Sequence, residues 1–87
     1  MLKIKDNVDL KELEKFKKYD FIKQTDYYFG SYYNADEENY YIEFVKIFIM
    51  IKDRTIHFKG SKKWLKNYKL KWIKDLIQAG LVEKVRE

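Results

Sequence analysis

Few side chains in this sequence could carry out catalysis. His57 is the only histidine and cysteine is absent, so a cysteine–histidine pair cannot form. A serine–histidine–aspartate site would have to use Ser31 or Ser61, and neither lies in a turn that exposes a nucleophile. The three glycines stand too far apart for a phosphate-binding loop. Because His57 lies between Ile56 and Phe58, it is typical of a structural or surface histidine. We expect no enzymatic activity and no cofactor.

Three consecutive carboxylates form an acidic segment in the middle of the chain: Asp36, Glu37 and Glu38. Such a run could attract a divalent cation, which takes several oxygen ligands at once. Without a second ligand group nearby, it is more typical of a solvated loop, and we predict no metal site.

Six tyrosines occur as three adjacent pairs within fifteen residues, beside the acidic segment. Tyrosine is enriched at the centres of protein–protein interfaces, where it combines a large contact area with a polar end. The alternative is a sheet that uses tyrosine for its β propensity alone. The predicted partner-binding tyrosines are Tyr27, Tyr28, Tyr32, Tyr33, Tyr40 and Tyr41, with the acidic segment as their rim.

A basic run with interleaved aromatic residues follows in the second half of the chain. Lysines neutralise phosphates and aromatic rings stack on unpaired bases, so the run could bind nucleic acid. The alternative is a solvated helix face, since Trp64, Tyr68 and Trp72 share one quadrant of a helix and would pack on the sheet. The candidate nucleic-acid residues are Lys59, Lys62, Lys63, Trp64, Lys66, Lys69, Lys71 and Lys74.

The net charge of +5 is unevenly distributed, because residues 24–45 hold five acids and no base while residues 46–74 hold ten bases and one acid. This asymmetry differs from the even mixture of an inert surface. A hydrophobic content of 46% with 18% aromatic residues indicates one folded domain over residues 1–87. The longest aliphatic or aromatic run, from Ile47 to Ile51, is far below the roughly 18 residues of a membrane span. We therefore expect a cytoplasmic protein.

The segment from Tyr40 to Ile51 is the predicted central element. Only Glu43 and Lys46 interrupt its apolar and aromatic residues, and it has neither glycine nor proline, which favours a strand. From Ile47 onward both faces are apolar, as in a strand at the middle of a covered sheet.

Capping and turn residues predict the elements before this strand. Asp9 and Glu12 form a capping box that begins a helix from about Leu10 to Lys18. Residues 21–29 are predicted to form a strand, followed by a tight turn or a bulge at residues 30–31 and a polar loop over residues 34–39.

The elements after the central strand are predicted in the same way. Residues 52–55 form a hairpin turn into a strand over residues 56–59. Ser61 and Gly80 delimit a second helix, either continuous or broken near Asn67. Residues 81–85 form a short extended tail.

These elements predict an α+β fold with the order α-β-β-β-α plus a short terminal strand: a small antiparallel sheet of about three strands with two helices on one face. Helices on one side leave the far face of the sheet exposed. A contiguous aromatic patch there is typical of a binding surface or a dimer interface.

Two stretches, KDNVDLKELEKF (5–16) and DLIQAGLVEKV (75–85), resemble the ends of small uncharacterised proteins from phages and prophages of AT-rich, low-GC bacteria. The resemblance implies a context and no functional residue. Phage proteins of this size often inhibit host systems, including CRISPR and other defence complexes. Many such inhibitors are acidic mimics of nucleic acid, whereas this chain is basic. It would instead dock on a nuclease through its tyrosines, or contact the bound nucleic acid through its lysines.

The sequence thus predicts a non-enzymatic protein-binding module, a phage or mobile-element accessory that inhibits a host defence complex such as a CRISPR effector. Its partner would be a host nuclease or a ribonucleoprotein complex. The alternative is a small basic nucleic-acid-binding protein acting through residues 59–74. A homodimer could also cover the exposed face of the sheet.

Overall fold

A computed structural model describes residues 1–36, 38, 41–60 and 69–85. Strands dominate these residues, with a 3₁₀ helix at Leu10–Lys15 and two short helices. The strands are β1 (Leu2–Ile4), β2 (Ile22–Lys23), β3 (Tyr27–Asp36), β4 (Tyr41–Met50), β5 (Ile56–Gly60) and β6 (Val82–Lys84), and the helices are α1 (Lys69–Trp72) and α2 (Lys74–Gln78).

Within this part of the chain the strands form two antiparallel sheets, one with the order β2-β3-β4-β5 and one that pairs β1 with β6. The predicted α+β fold of about three strands with two helices, in the order α-β-β-β-α, was therefore wrong. The chain is richer in strand because β3 is longer than expected and because β1 was not predicted. The single strand predicted over residues 21–29 is divided into β2 and the start of β3. The helical segments of the described residues are short, and residues 61–68 of the predicted second helix, with its predicted cap Ser61, lie outside the described residues.

The long strand β3 accounts for most of this difference. Gly30 and Ser31, predicted as a turn or a bulge, lie within β3 and pair with Ile47 and Lys46 of β4. The polar loop predicted over residues 34–39 was wrong for residues 34–36, which belong to β3 and pair with β4 as far as Asp36. The central strand and the hairpin to β5 were predicted correctly, and β4 pairs with β5 from Ile49 to Val45.

One face of the four-stranded sheet packs into the hydrophobic core. In β4 the residues Val45, Ile47 and Ile49 are 2%, 0% and 0% exposed, because alternate side chains point to the same side. They pack with side chains from the 3₁₀ helix, the segment after it, α1 and α2, all on this side of the sheet. The contributing residues include Leu13, Tyr19, Phe21, Trp72, Ile73 and Leu76.

The first helix is shorter than predicted. Asp9 caps it as expected and accepts a hydrogen bond of 3.0 Å from the backbone amide of Lys11. The Glu12 carboxylate pairs with Lys15 Nζ and does not complete the predicted capping box. It is a 3₁₀ helix that ends at Lys15 rather than an α-helix to Lys18. The chain then reverses at Asp20, whose φ is 53°. This reversal allows both Tyr19 and Phe21 to enter the core, where their ring centroids lie 5.4 Å apart.

The end of α2 agrees with the prediction at Gly80. Its φ of 76° is left-handed, and its amide donates to the carbonyl of Ile77 at 3.0 Å. The amide of Leu81 donates to the carbonyl of Leu76 at 3.1 Å, which completes a Schellman motif. The break between α1 and α2 lies at Ile73, whereas the break considered at Asn67 lies outside the described residues.

Arg54 connects the small sheet to the large one. It lies in the hairpin turn between β4 and β5 with a φ of 64°. Its carbonyl accepts from the Ile4 amide at 2.9 Å, and its guanidinium donates to the carbonyls of Lys5 and Val8. The turn therefore holds β1 and the segment after it against the end of the sheet.

Candidate functional site

The candidate site is the face of the four-stranded sheet opposite the core, which we call the open face. Residues directly opposite each other across antiparallel strands lie on the same face, so the pairing register identifies its members. They are Ile22, Tyr27, Phe29, Ser31, Tyr33, Ala35, Ile42, Phe44, Lys46, Phe48, Met50, His57 and Lys59. On this face Ile42 and Phe44 are 68% and 49% exposed, and Phe48 and Met50 beyond Ile47 are partly exposed.

Three large side chains at the hairpin end of β3 and β4 form what we call the hairpin patch: Tyr33, Ile42 and Phe44. Tyr33 and Phe44 are directly opposite each other, and Ile42 is the next residue of β4 on the same face. Tyr33 is 60% exposed, so all three have about half or more of their surface in solvent. Soluble monomers rarely expose contiguous apolar patches larger than a few hundred Å², and the largest such patch is often a binding site.

A second group of rings lies further along the open face. Phe48 packs edge-to-face against Phe29 and Tyr27, with centroid separations of 5.2 and 5.5 Å. This geometry is the one that aromatic pairs favour. The three rings remain partly exposed, so they form an ordered aromatic surface rather than part of the core.

Three polar residues lie between the hairpin patch and these rings. Ser31 is opposite Lys46, which is opposite Lys59. Both lysines are exposed. None of the strand residues assigned to the open face is acidic, so these neighbouring positive charges have no carboxylate beside them in the described strands.

The hydrogen bonds around His57 do not form a catalytic triad. The Thr55 hydroxyl lies 2.6 Å from Asp53 Oδ1 and 2.8 Å from His57 Nε2. The aspartate thus contacts the hydroxyl and not the imidazole, whereas a nucleophilic site needs the imidazole between the other two groups. Hydrogen bonds from the Thr55 side chain and amide lower the pKa of Asp53. We interpret this arrangement as stabilising the hairpin turn.

On the core side, β4 carries one carboxylate that the sequence analysis did not single out. Glu43 is 4% exposed and accepts a hydrogen bond from the indole Nε1 of Trp72. Lys71 Nζ lies 3.4 Å from the same carboxylate. The alternation of side chains along β4 could have identified Glu43 as a buried residue, because Glu43 points to the same face of the strand as Val45 and Ile47. These contacts hold α1 beneath the sheet.

The predicted tyrosine site is divided between the two faces. Tyr27 and Tyr33 lie on the open face, whereas Tyr28 and Tyr32 are 3% and 5% exposed in the core. Two members of the acidic rim are described, Asp36 as the last residue of β3 and Glu38 as an exposed turn residue. Tyr41 begins β4, while Glu37 and Tyr40 lie outside the described residues.

The candidate lysines are not brought together in the part of the chain that the structure describes. Lys59 is on the open face, whereas Lys71 is on the core side near Glu43. Lys69 begins α1, and Lys74 begins α2 with an exposed side chain. The remaining members, Lys62, Lys63, Trp64 and Lys66, fall outside the described residues. Trp72 is buried against Phe58, with ring centroids 5.3 Å apart, as its helical position predicted.

Comparisons of the chain with protein-family models, with curated proteins and with solved structures give no match. Among the residues described, no cluster of histidine and acidic side chains could hold a metal ion. The same residues contain no helix long and apolar enough to span a bilayer.

Proposed function

We propose that this protein is a non-enzymatic protein-binding module whose partner packs on the hairpin patch. The observation that carries the proposal is the exposure of Tyr33, Ile42 and Phe44 side by side on an ordered pair of strands. The sheet already presents these side chains in fixed positions, so a partner would bind with little loss of backbone freedom.

The energetic argument follows from burial. Fully burying a large apolar side chain is worth roughly 1.5–3 kcal/mol, and the hairpin patch offers three. Aromatic residues at the centre of an interface often provide most of its binding energy. On the opposite face of β4, Val45 and Ile47 are already buried in the core. The side chains of the hairpin patch do not contribute to that core.

The resemblance to phage and prophage proteins suggests the partner class to test first. We propose a host nuclease or ribonucleoprotein complex of a bacterial defence system, inhibited in the bacterial cytoplasm by occupation of one of its surfaces. The patch would contact an apolar area of that complex, and the hairpin end carrying Glu38 would lie at the rim.

The experiment compares how two double variants bind the partner, each of which replaces two exposed apolar side chains by polar ones. Tyr33→Thr/Ile42→Thr removes two of the three large side chains of the hairpin patch, the two most exposed, while retaining residues that favour strands. The control, Leu70→Gln/Ile77→Gln, removes exposed apolar side chains from α1 and α2, where the wild-type residues are 62% and 39% exposed. Each protein is used as bait in nuclease-treated host lysate, and the captured protein is then purified and its affinity measured.

The expected result is a partner that binds the wild type and the control equally and the hairpin-patch variant at least about tenfold more weakly. Equal binding of a purified partner by all three proteins would rule out the hairpin patch. Light scattering of the wild type at high concentration tests the other occupant, a second copy of the chain. A dimer that the hairpin-patch variant converts to a monomer would replace the proposed partner with self-association.

A further inference from the structure

The open face carries two adjacent rows that the protein-binding proposal does not use. The lysine row consists of Ser31, Lys46 and Lys59, and the ring row consists of Phe29, Phe48 and His57. Each row crosses β3, β4 and β5, and the two are separated by two residues along every strand. Successive residues on one face of a strand are about 6.7 Å apart, so donors and rings run side by side across the sheet.

The lysine row has an unfavourable electrostatic arrangement in the isolated protein. Like charges directly opposite each other on neighbouring strands are destabilising. Lys46 and Lys59 are such a pair, and both are exposed. Neither makes an ion pair with a described residue. An anionic ligand would relieve this repulsion, and the Ser31 hydroxyl at the end of the row provides a further hydrogen-bond donor.

The ring row provides the second half of a binding surface. Aromatic side chains bind single-stranded nucleic acids by stacking on bases, which is effective for any base sequence. Phe29 and Phe48 are held in place by their edge-to-face contact at 5.2 Å, and His57 is exposed at the end of the row. A base on the ring row would place its phosphate toward the adjacent lysine row.

We propose that the lysine row and the ring row bind single-stranded nucleic acid, with phosphates on Lys46 and Lys59 and bases on Phe29, Phe48 and His57. A single strand is required, since the bases of a duplex are stacked on each other and offer no face to the rings. Recognition is not sequence-specific, because lysine lacks the planar fork with which arginine reads bases. The alternative occupant, an acidic protein segment, would use the lysines and gain little from the rings.

This site is separate from the lysine-rich segment 59–74 considered from the sequence, with which it shares only Lys59. It also does not depend on the hairpin patch. If both proposals hold, the two parts of the open face would contact a nucleoprotein complex together. Either proposal can fail without the other, because the hairpin patch is tested by affinity for a purified partner protein and the two rows by affinity for an oligonucleotide.

The test uses fluorescence anisotropy with labelled dT15 and rU15 and a 15-base-pair duplex as the comparison. The charge variant is Lys46→Gln/Lys59→Gln, and its matched control is Lys11→Gln/Lys17→Gln, which removes two exposed lysines from the helical side with the same change in net charge. Phe48→Leu tests stacking. The hairpin-patch variant Tyr33→Thr/Ile42→Thr is measured alongside them.

We expect the wild type and the lysine control to bind the single strands, more tightly than the duplex, with affinity falling as salt rises. The charge variant should bind at least about tenfold more weakly. The magnitude of its slope of log K against log salt should be smaller by about 1.4, since each phosphate contact on a single strand contributes roughly 0.7. Phe48→Leu should lose at least about fivefold, the lower end of base stacking, with an unchanged slope. The hairpin-patch variant should bind like the wild type.

Three results would overturn the proposal: no single-strand binding by the wild type at 25 mM salt, equal weakening by the two lysine double variants, or equal affinity for the duplex. Binding of poly-glutamate that depends on the lysines but not on Phe48 would assign the site to an acidic protein segment instead. A folding control accompanies the measurements. Removing the like-charge pair should leave the melting temperature of Lys46→Gln/Lys59→Gln unchanged or higher, so that a loss of binding cannot be attributed to unfolding.

Discussion

The ring of Phe21 covers Gly30 so closely that a Cβ atom built at residue 30 would lie 2.5 Å from Phe21 Cδ1. Gly30 is within β3, where it pairs with Ile47. The missing side chain therefore creates the space that Phe21 fills in the core. Here glycine serves packing within a strand and does not mark a turn.

We predict that Gly30→Ala destabilises the protein by about 1–3 kcal/mol, the usual cost of overpacking a core. The measurement is urea unfolding followed by circular dichroism. Combining Gly30→Ala with Phe21→Leu should cost less than the sum of the two single changes, because the smaller side chain relieves the clash. Strict additivity would show that the two residues do not interact.

Along β4, the two faces should respond differently to the same substitution. Ile47→Ala should cost about 2–5 kcal/mol, because it leaves a cavity in the core. Ile42→Ala, on the open face, should change the free energy of unfolding by about 0.5 kcal/mol or less. Chemical denaturation of the two variants checks this. A comparable loss at both positions would mean that another layer covers the open face.

The contact between Glu43 and Trp72 should be important for stability. Glu43→Ala removes the acceptor of a buried indole N–H, and leaving such a donor unpaired costs about 1–3 kcal/mol. Glu43→Gln retains an oxygen acceptor and should cost less. Urea unfolding of both variants, in a Trp64→Phe background so that fluorescence reports Trp72 alone, checks the order. Equal losses would indicate that the indole hydrogen bond contributes little.

The buried Tyr19 hydroxyl should make the stability of the protein depend on pH in the alkaline range. Burial raises the pKa of Tyr19 to about 12, and the Asp75 backbone amide, which favours the ionised form, does not offset this effect. The hydroxyl makes no well-formed hydrogen bond to any described residue. An unfolded tyrosine ionises near pH 10, so ionisation favours the unfolded state above that pH. Stability should therefore fall as the pH rises from about 10 to about 12.

Tyr19→Phe removes this ionisable group and a buried hydroxyl that makes no well-formed hydrogen bond to the described residues. We expect the variant to be as stable as the wild type at pH 7 or more stable, and to lose less stability between pH 9 and pH 11. Thermal melts across this range provide the test, with Tyr33→Phe on the open face as the control. A large loss at neutral pH would show that the hydroxyl has a partner.

The features that the sequence predicted correctly are those determined by local chemistry. The cap at Asp9 and the left-handed residue at Gly80 each depend on side-chain or backbone preferences within a few residues. The same holds for β4, whose β-branched and aromatic residues favour a strand wherever it packs. Each of these signals lies in one short window of the chain.

The features that were not predicted depend on distant contacts. Gly30 was predicted in a turn because the ring that covers it belongs to Phe21, in another segment. Pairing of β1 with β6 brings together residues from opposite ends of the chain, and neither segment has a strong strand pattern. Such pairing can be recognised only when both partners are known.

The division of the tyrosines could have been anticipated. Adjacent residues of a strand point to opposite faces, so a Tyr-Tyr pair within a strand cannot place both rings on one surface. Tyr27 and Tyr28 follow this rule, as do Tyr32 and Tyr33. The interface candidates should therefore have been chosen by parity along β3, which would also have included Phe29.

The pairing of β1 with β6 has a consequence for the order of folding. The hairpins of β3, β4 and β5 close short loops, whereas β1 and β6 must meet across nearly the whole chain. Contacts that close long loops carry a greater entropic cost and tend to form late. We expect the two-stranded sheet to assemble last and open first, so that the amide of Glu83 exchanges with deuterium well before that of Ile47.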